Sequence, residues 1–183
     1  MTSPESHDTY RLIQTPDELS RTISALSAAK TFYLDTEFEA ARGRTTLSLL
    51  QLSSGREVFL IDALSLRDLS PLRAVLAAEG VEWVLHAGQH DVDLVQHALG
   101  SERRPRVFDT QVAWSLLGPE HSVSLAYLVY RLLGKRSAKG HQTDDWMKRP
   151  LQLGQLAYAA SDVAVLPAMA TLLEERLAAV SRT

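Results

Sequence analysis

Asp35 and Glu37 stand two apart in Phe-Tyr-Leu-Asp-Thr-Glu-Phe, residues 32–38. If this stretch is extended, positions i and i+2 point to the same side and both carboxylates project together. A lone pair of this kind also suits a solvent-facing strand end. Tyr158 and Asp162 are four apart in a helical pattern and so share a face. Asp91 falls in the first turn of another expected helix, where a carboxylate also suits the positive end of the helix dipole. Four acids gathered in one place would repel, and several would stay protonated without a counter-charge. Divalent cations held by oxygen ligands are the natural counter-charge. Three or four carboxylates around two such ions, ~3.5–4 Å apart, are the apparatus of in-line phosphodiester displacement. Spacing alone does not bring these acids together.

The elements that must position them are legible in outline. Thr15-Pro-Asp-Glu18 reads as a helix start: a Thr cap, Pro at the first position and Glu closing a capping box. Leu19, Ile23, Leu26 and Ala29 supply its period. Residues 31–34 form a short strand that runs into the first two acids. Residues 47–52 and 57–62 flank a four-residue turn, Ser53-Ser-Gly-Arg56, and make a hairpin. The first three strands are therefore expected as an antiparallel meander. Ser70-Pro71 opens a helix to about 78, residues 82–86 form a fourth strand, and 89–99 a helix. Residues 106–108 are a fifth strand, and Asp109-Thr110 caps a helix to about 117. Ser122 or Ser124 starts another, ending near Gly134, before a polar, basic connector over 135–143. Residues 151–180 read as helix, interrupted at Pro167. The pattern is α/β: a mixed sheet of five to six strands, the meander followed by parallel strands, flanked by helices. The first ten residues are expected to be loose, with one domain over 11–180.

With 183 residues, 45% hydrophobic and 22% charged, the chain has the composition of a globular domain. The absence of cysteine excludes disulfides, thiolate zinc sites and cysteine nucleophiles, and fits a reducing cytoplasm. The longest charge-free stretch, 150–161, is 12 residues, short of the ~20 that a spanning helix needs, so no membrane segment is expected. Residues 1–8 have neither a basic start nor an apolar run, so no leader is expected. Nineteen basic against 22 acidic residues leave a net charge of −3. A phosphate-bearing partner must then be held locally or through bound cations, because bulk charge does not attract it.

The three acidic stretches, in this order, resemble the motifs of the DEDD superfamily of 3′–5′ exonucleases. Residues 32–38 resemble the first, Leu85-His-Ala-Gly-Gln-His-Asp91 the second, and Tyr158-Ala-Ala-Ser-Asp162 the third in its tyrosine form. The pattern is most similar to the ribonuclease D family, which also resembles this chain at Leu50-Gln51-Leu52, Ile61-Asp62, Phe108-Asp109-Thr110-Gln111 and the stretch from Asp145 to Leu151. The resemblance runs from about residue 12 to 177. It implies a ribonuclease H-like fold with the acids at one edge of the central sheet. It further implies that Asp35 bridges two Mg²⁺ or Mn²⁺ ions, and that Glu37 and Asp162 complete the one that activates water. Asp91 would serve the other, directly or through water, and Tyr158 would orient the attacking water. Thr36, Phe38, Gln51 and His86 are the implied substrate contacts. The implied reaction releases 5′-mononucleotides from a free 3′-hydroxyl end, most naturally of single-stranded RNA. DNA, or binding without hydrolysis, are the alternatives, and a homodimer is compatible with the pattern. Long family members carry further helical domains, which are expected to be absent here. Residues 139–144 depart from the family pattern, with Gly140 where serine is common and Thr143 where arginine is; His90 stands where an acid is common.

Other candidates carry two readings each. His86 and His90 have zinc-like spacing but straddle a strand end and a helix start, which favours a structural or substrate-contacting role. Asp93 competes with Asp91, and the motif favours Asp91. Asp109 reads as a cap for the amide of Gln111 or Val112. Asp144 and Asp145 read as a cap and a solvated neighbour. Phe38 suits stacking on a base or a place in the core. Arg42 and Arg44 suit a phosphate-gripping loop or a solvated one. Lys135, Arg136, Lys139, Lys148 and Arg149 form a basic concentration that would suit a phosphate track.

Overall fold

The computed structural model describes residues 10–41, 43–136 and 140–182. Most of the stretch expected to be loose, together with Arg42 and Lys139, lies outside these. In chain order the elements are β1 (Tyr10–Ile13), α1 (Pro16–Leu26), β2 (Thr31–Ala41), β3 (Arg44–Ser53), β4 (Val58–Asp62) and α2 (Ala63–Leu66). A 3₁₀ turn (Ser70–Leu72) leads into α3 (Arg73–Leu76), then β5 (Glu82–Leu85), α4 (Gln89–Leu99) and β6 (Arg106–Asp109). The chain continues through α5 (Thr110–Ser115), α6 (Leu125–Leu133), α7 (Leu153–Ala164) and α8 (Leu166–Val180). The strands form one six-stranded sheet in the order β1-β4-β3-β2-β5-β6. β2, β3 and β4 are antiparallel neighbours, whereas β5 and β6 extend the sheet in parallel. The expected meander followed by parallel strands is therefore present.

The sheet is covered on both faces. Side chains alternate along a strand, so Phe32, Leu34, Leu50 and Ile61 enter a core with α1, α3 and α4, whereas Leu49 and Leu60 face α7. This double cover explains why every residue from Leu47 to Ser53 is buried and why β3 shows no apolar–polar alternation.

Four expectations change in detail. β1, not foreseen as a strand, pairs in parallel with β4 from Tyr10↔Val58 to Ile13↔Ile61. The Asp35/Glu37 pair lies in the middle of an 11-residue strand rather than at a strand end. β2 and β3 form one long hairpin, so Arg44 is strand, not loop. The helix expected over 70–78 is only a 3₁₀ turn and one short α-helix. The caps follow the sequence: Thr15 accepts from the Glu18 amide in a full capping box, and Ser124, not Ser122, caps α6. The break anticipated at Pro167 falls at Val165, with Pro167 in the first turn of α8.

Residues Leu153–Val180 are, taken together, long and apolar enough to cross a membrane by length and composition. More than half of their most apolar stretch is buried within the domain, where α7 covers β2–β4 and α8 packs on α5 and α6.

Candidate active site

On β2 the alternation that sends Leu34 toward α4 sends Asp35 and Glu37 to the α7 side. A register shift between Glu37 and Phe38 follows, a bulge that locally re-aims the strand. Thr36, on the other face, donates its hydroxyl to Asp91 Oδ1 in the first turn of α4. α7 brings Tyr158 and Asp162 over the sheet. A cleft of about 220 Å³ is lined by Asp35, His86, Gln142, Tyr158 and Asp162. Sequence segments more than 120 residues apart thus contribute acids to one place.

The electrostatics are those of unneutralised acids. Burial, then the charges of Asp91 and Asp162, raise Asp35 well above the carboxylate range. Glu37 is pushed up to about 9 by burial and then by Asp35, Asp162 and Asp91. Asp162 rises to about 6, because burial outweighs the hydrogen bond it accepts from Tyr158. Burial also raises Asp91, against the opposing pull of the Thr36 hydroxyl. Among the described residues no ion pair reaches any of the four. The Tyr158 phenol is likewise raised, by burial and then by Asp162, and Gln142 hydrogen-bonds its oxygen. It therefore stays protonated at neutral pH and acts as a donor, not a base.

The donor set fits hard cations: it offers only carboxylate oxygens, and a positive charge would relieve the repulsion recorded in their raised proton affinities. As the side chains stand, no three acids among the described residues close around a point as a finished metal cage.

A second layer fixes these groups. Gln51, implied as a substrate contact, is fully buried opposite Asp35; its Nε2 reaches Glu37 Oε1 at 3.5 Å, so it supports that acid from below. His86 is only half-buried, but both ring nitrogens are engaged, with Thr110 Oγ1 and the Val123 carbonyl, each at 2.9 Å. Burial lowers its proton affinity, so the neutral ring carries its proton on Nε2, facing Val123, and leaves its face to the cleft. Phe38 is exposed and packs on the His90 ring, with centroids 4.8 Å apart. His86 and His90 thus have separate partners and do not converge on a metal. Asp93 turns outward toward Arg104, at 3.7 Å.

Asp109 caps α5 through the amides of Gln111 and Val112 as expected, and also accepts from the amides of Ala87 (3.0 Å) and Gly88 (2.9 Å). This clamp holds the turn from which α4 presents Asp91, a role invisible in a cap motif. Gly88 is required there: a Cβ would lie 2.5 Å from Leu85 Cβ. Gly88→Ala should lose ~1–3 kcal/mol in urea unfolding and lower any activity that needs Asp91, since the turn must shift.

The basic connector divides. Arg149 is no phosphate contact: its Nε and Nη2 donate to Asp62 at 2.9 and 2.8 Å, and it also bonds the Ser48 and Trp146 carbonyls. Lys135, Arg136 and Lys148 are exposed. Asp145, rather than Asp144, accepts the local amide, from Met147, while Asp144 pairs with His141 Nδ1 at 2.7 Å. The His141 ring lies 5.8 Å from that of Tyr158, and Gln142 enters the cleft; neither was singled out in the sequence, though both fall in the stretch that departs from the family pattern.

Comparison with known proteins agrees with this architecture. Ribonuclease D of Escherichia coli is 36% identical over 170 residues, which is 91% of this chain and 44% of that protein. The crystal structure of E. coli RNase D, described as an exoribonuclease involved in structured RNA processing, superposes with a TM-score of 0.86 at 34% identity, over 93% of this chain and 45% of that one. Brucella melitensis NrnC bound to pGG gives a TM-score of 0.79 at 27% identity, over 96% and 84% of the two chains. The same protein with bound Mg²⁺ gives 0.78 at 25% identity, over 96% and 85%. The chain spans under half the length of the curated ribonuclease D relatives it matches. The 3′–5′ exonuclease family model matches residues 10–178, nearly the whole described sheet and its helices, and the chain belongs to that family.

Proposed function

We propose that the chain hydrolyses single-stranded RNA from a free 3′-hydroxyl end, in the cytoplasm, releasing 5′-mononucleotides. The observation that carries this reading is the convergence of Asp35, Glu37, Asp91 and Asp162, each with a raised proton affinity and none in an ion pair among the described residues. These acids would hold two divalent cations, Mg²⁺ or Mn²⁺. Such ions would supply the positive charge that favours attack by water and departure of the 3′ oxygen.

The chain's own groups do the rest. The Tyr158 hydroxyl, neutral and backed by Gln142, orients the attacking water by hydrogen bonding. Phe38, open to solvent and braced by His90, offers a face on which the terminal base stacks. Thr36 sets the direction of Asp91, Gln51 that of Glu37, and His86 walls the cleft with its ring face. The named likeness to E. coli RNase D supports RNA as substrate, and the bound Mg²⁺ and pGG in NrnC support a metal and a short nucleic-acid ligand.

A time course on 5′-labelled RNA, with free and phosphate-blocked 3′ ends and with or without EDTA, tests the reading. A ladder only from the free end and only with metal is expected; internal cleavage or EDTA-resistant hydrolysis would remove it. Tyr158→Phe should lower kcat ~100-fold while Mn²⁺ binding, followed by EPR, stays as in the unaltered chain, because misplaced water costs rate rather than metal. An unchanged kcat would end the role assigned to the phenol.

A further inference from the structure

Tyr158 is flanked by two rings from the segment that precedes α7: His141, with centroids 5.8 Å apart, and Trp146, at 6.3 Å. Between those two in sequence, Gln142 hydrogen-bonds the phenol oxygen and lines the cleft, whereas His141 does not line it. The His141 ring is nevertheless held from two sides. Its Nδ1 donates to Asp144 Oδ2 at 2.7 Å, and the Asp144 amide donates back to the His141 carbonyl at 3.2 Å, which closes a turn around Gln142. The Nε2–Cε1 edge of the ring lies against Gly154 in the first turn of α7: a Cβ at that position would stand 2.9 Å from Nε2 and 3.0 Å from Cε1.

Glycine is therefore what lets the ring approach the helix so closely. A second glycine shapes the entry to the turn. Gly140 has φ 122°, a torsion that the serine common there in the family rarely adopts. The stretch that departs from the family pattern is thus a built turn, tied to itself through His141 and Asp144 and seated on α7 at Gly154.

We propose that the His141–Asp144 pair positions Tyr158, setting the phenol through the ring contact and through Gln142 at the angle from which it orients the attacking water. This rests on the hydrolysis reading above and extends it to the residues behind the phenol. His141 is a positioning residue, not a catalytic one.

His141→Ala, Gly154→Ala and their combination test it in the full chain. Gly154→Ala is the informative variant. Alanine is the better helix former, and the atoms it meets are the far end of one side chain, so stability in urea should not fall while the ring is pushed aside. Each single variant should lower kcat on RNA ~10-fold with KM and Mn²⁺ binding unchanged, because a displaced phenol misplaces water rather than substrate or metal. The combination should be no slower than His141→Ala alone, since the added Cβ meets no other atom within 4 Å. In a Tyr158→Phe background, His141→Ala should cause no further loss, because its effect passes through the phenol hydroxyl. A readout without turnover is NMR of isotope-labelled tyrosine. The Tyr158 resonance, identified by its loss in Tyr158→Phe, should move in both single variants.

An unchanged kcat in either single variant would overturn the proposal. So would a loss of equal size with and without the Tyr158 hydroxyl, which would place His141 on a path that bypasses the phenol. Failure of the unaltered chain to release mononucleotides would remove the hydrolysis reading instead. The tyrosine resonance would then still decide whether His141 sets the phenol, and an unmoved resonance would overturn it.

Discussion

Asp35→Asn should reduce RNA hydrolysis by at least ~1000-fold and, in metal-free protein, raise the melting temperature. Both effects have one cause. Burial and the charges of Asp91 and Asp162 oppose ionisation of Asp35, and Asp35 in turn is the largest charge opposing ionisation of Glu37. A neutral amide of the same shape removes that repulsion and removes one of the carboxylates that would hold the cations. Calorimetry in EDTA and single-turnover hydrolysis in Mg²⁺ check the two halves. A variant with near-normal turnover would refute the assignment of Asp35.

The same repulsion sets a pH dependence. Asp162 and Glu37 keep protons in the folded chain up to about 6 and about 9, whereas the unfolded chain releases them near ~4. The folded state then binds more protons, so metal-free stability should fall as pH rises from about 4 through 9. Added Mg²⁺ should restore it, increasingly at higher pH, as its binding displaces those protons.

Arg149→Ala should destabilise the fold by ~3–5 kcal/mol, because it strands the fully buried Asp62 carboxylate. Asp62 is fully buried, and burial alone would raise its proton affinity. Hydrogen bonds from Arg149, Gln14 and Ser65 outweigh burial and hold it down to about 2. Truncation would strand a buried carboxylate and also free the Ser48 and Trp146 carbonyls that Arg149 ties together. Because the folded proton affinity is depressed, this network stabilises the chain fully above ~4 and loses its effect as pH falls toward about 2. That acid-sensitive share amounts to ~2 kcal/mol and should vanish from the variant's urea-unfolding profile. An Arg149→Ala chain of unaltered stability would show that the pair contributes nothing net.

What could be read from the sequence depended on the range of the interaction. The meander, the capped start of α1 and Asp109 at the head of α5 rest on neighbours within a few residues, and they were legible. β1 was not: four residues pairing in parallel at a sheet edge have neither a hairpin turn nor a clear alternation to announce them. The acids were recognisable as motifs, but only the fold brings Asp35 and Asp162 to one cleft. Gln51 and Arg149 have supporting contacts that the sequence did not announce, for a shared reason. Polar residues default to the surface, and these are held inside by Glu37 and by Asp62, the latter 87 residues from its partner.

The acids are distributed from Asp35 near the start to Asp162 on α7, and this has a consequence during synthesis. A chain still emerging from the ribosome can pair β2 with β3 and β4, yet it cannot possess a complete cleft until α7 has been made and docked. Any activity that needs all four acids therefore waits until α7 has docked on the sheet.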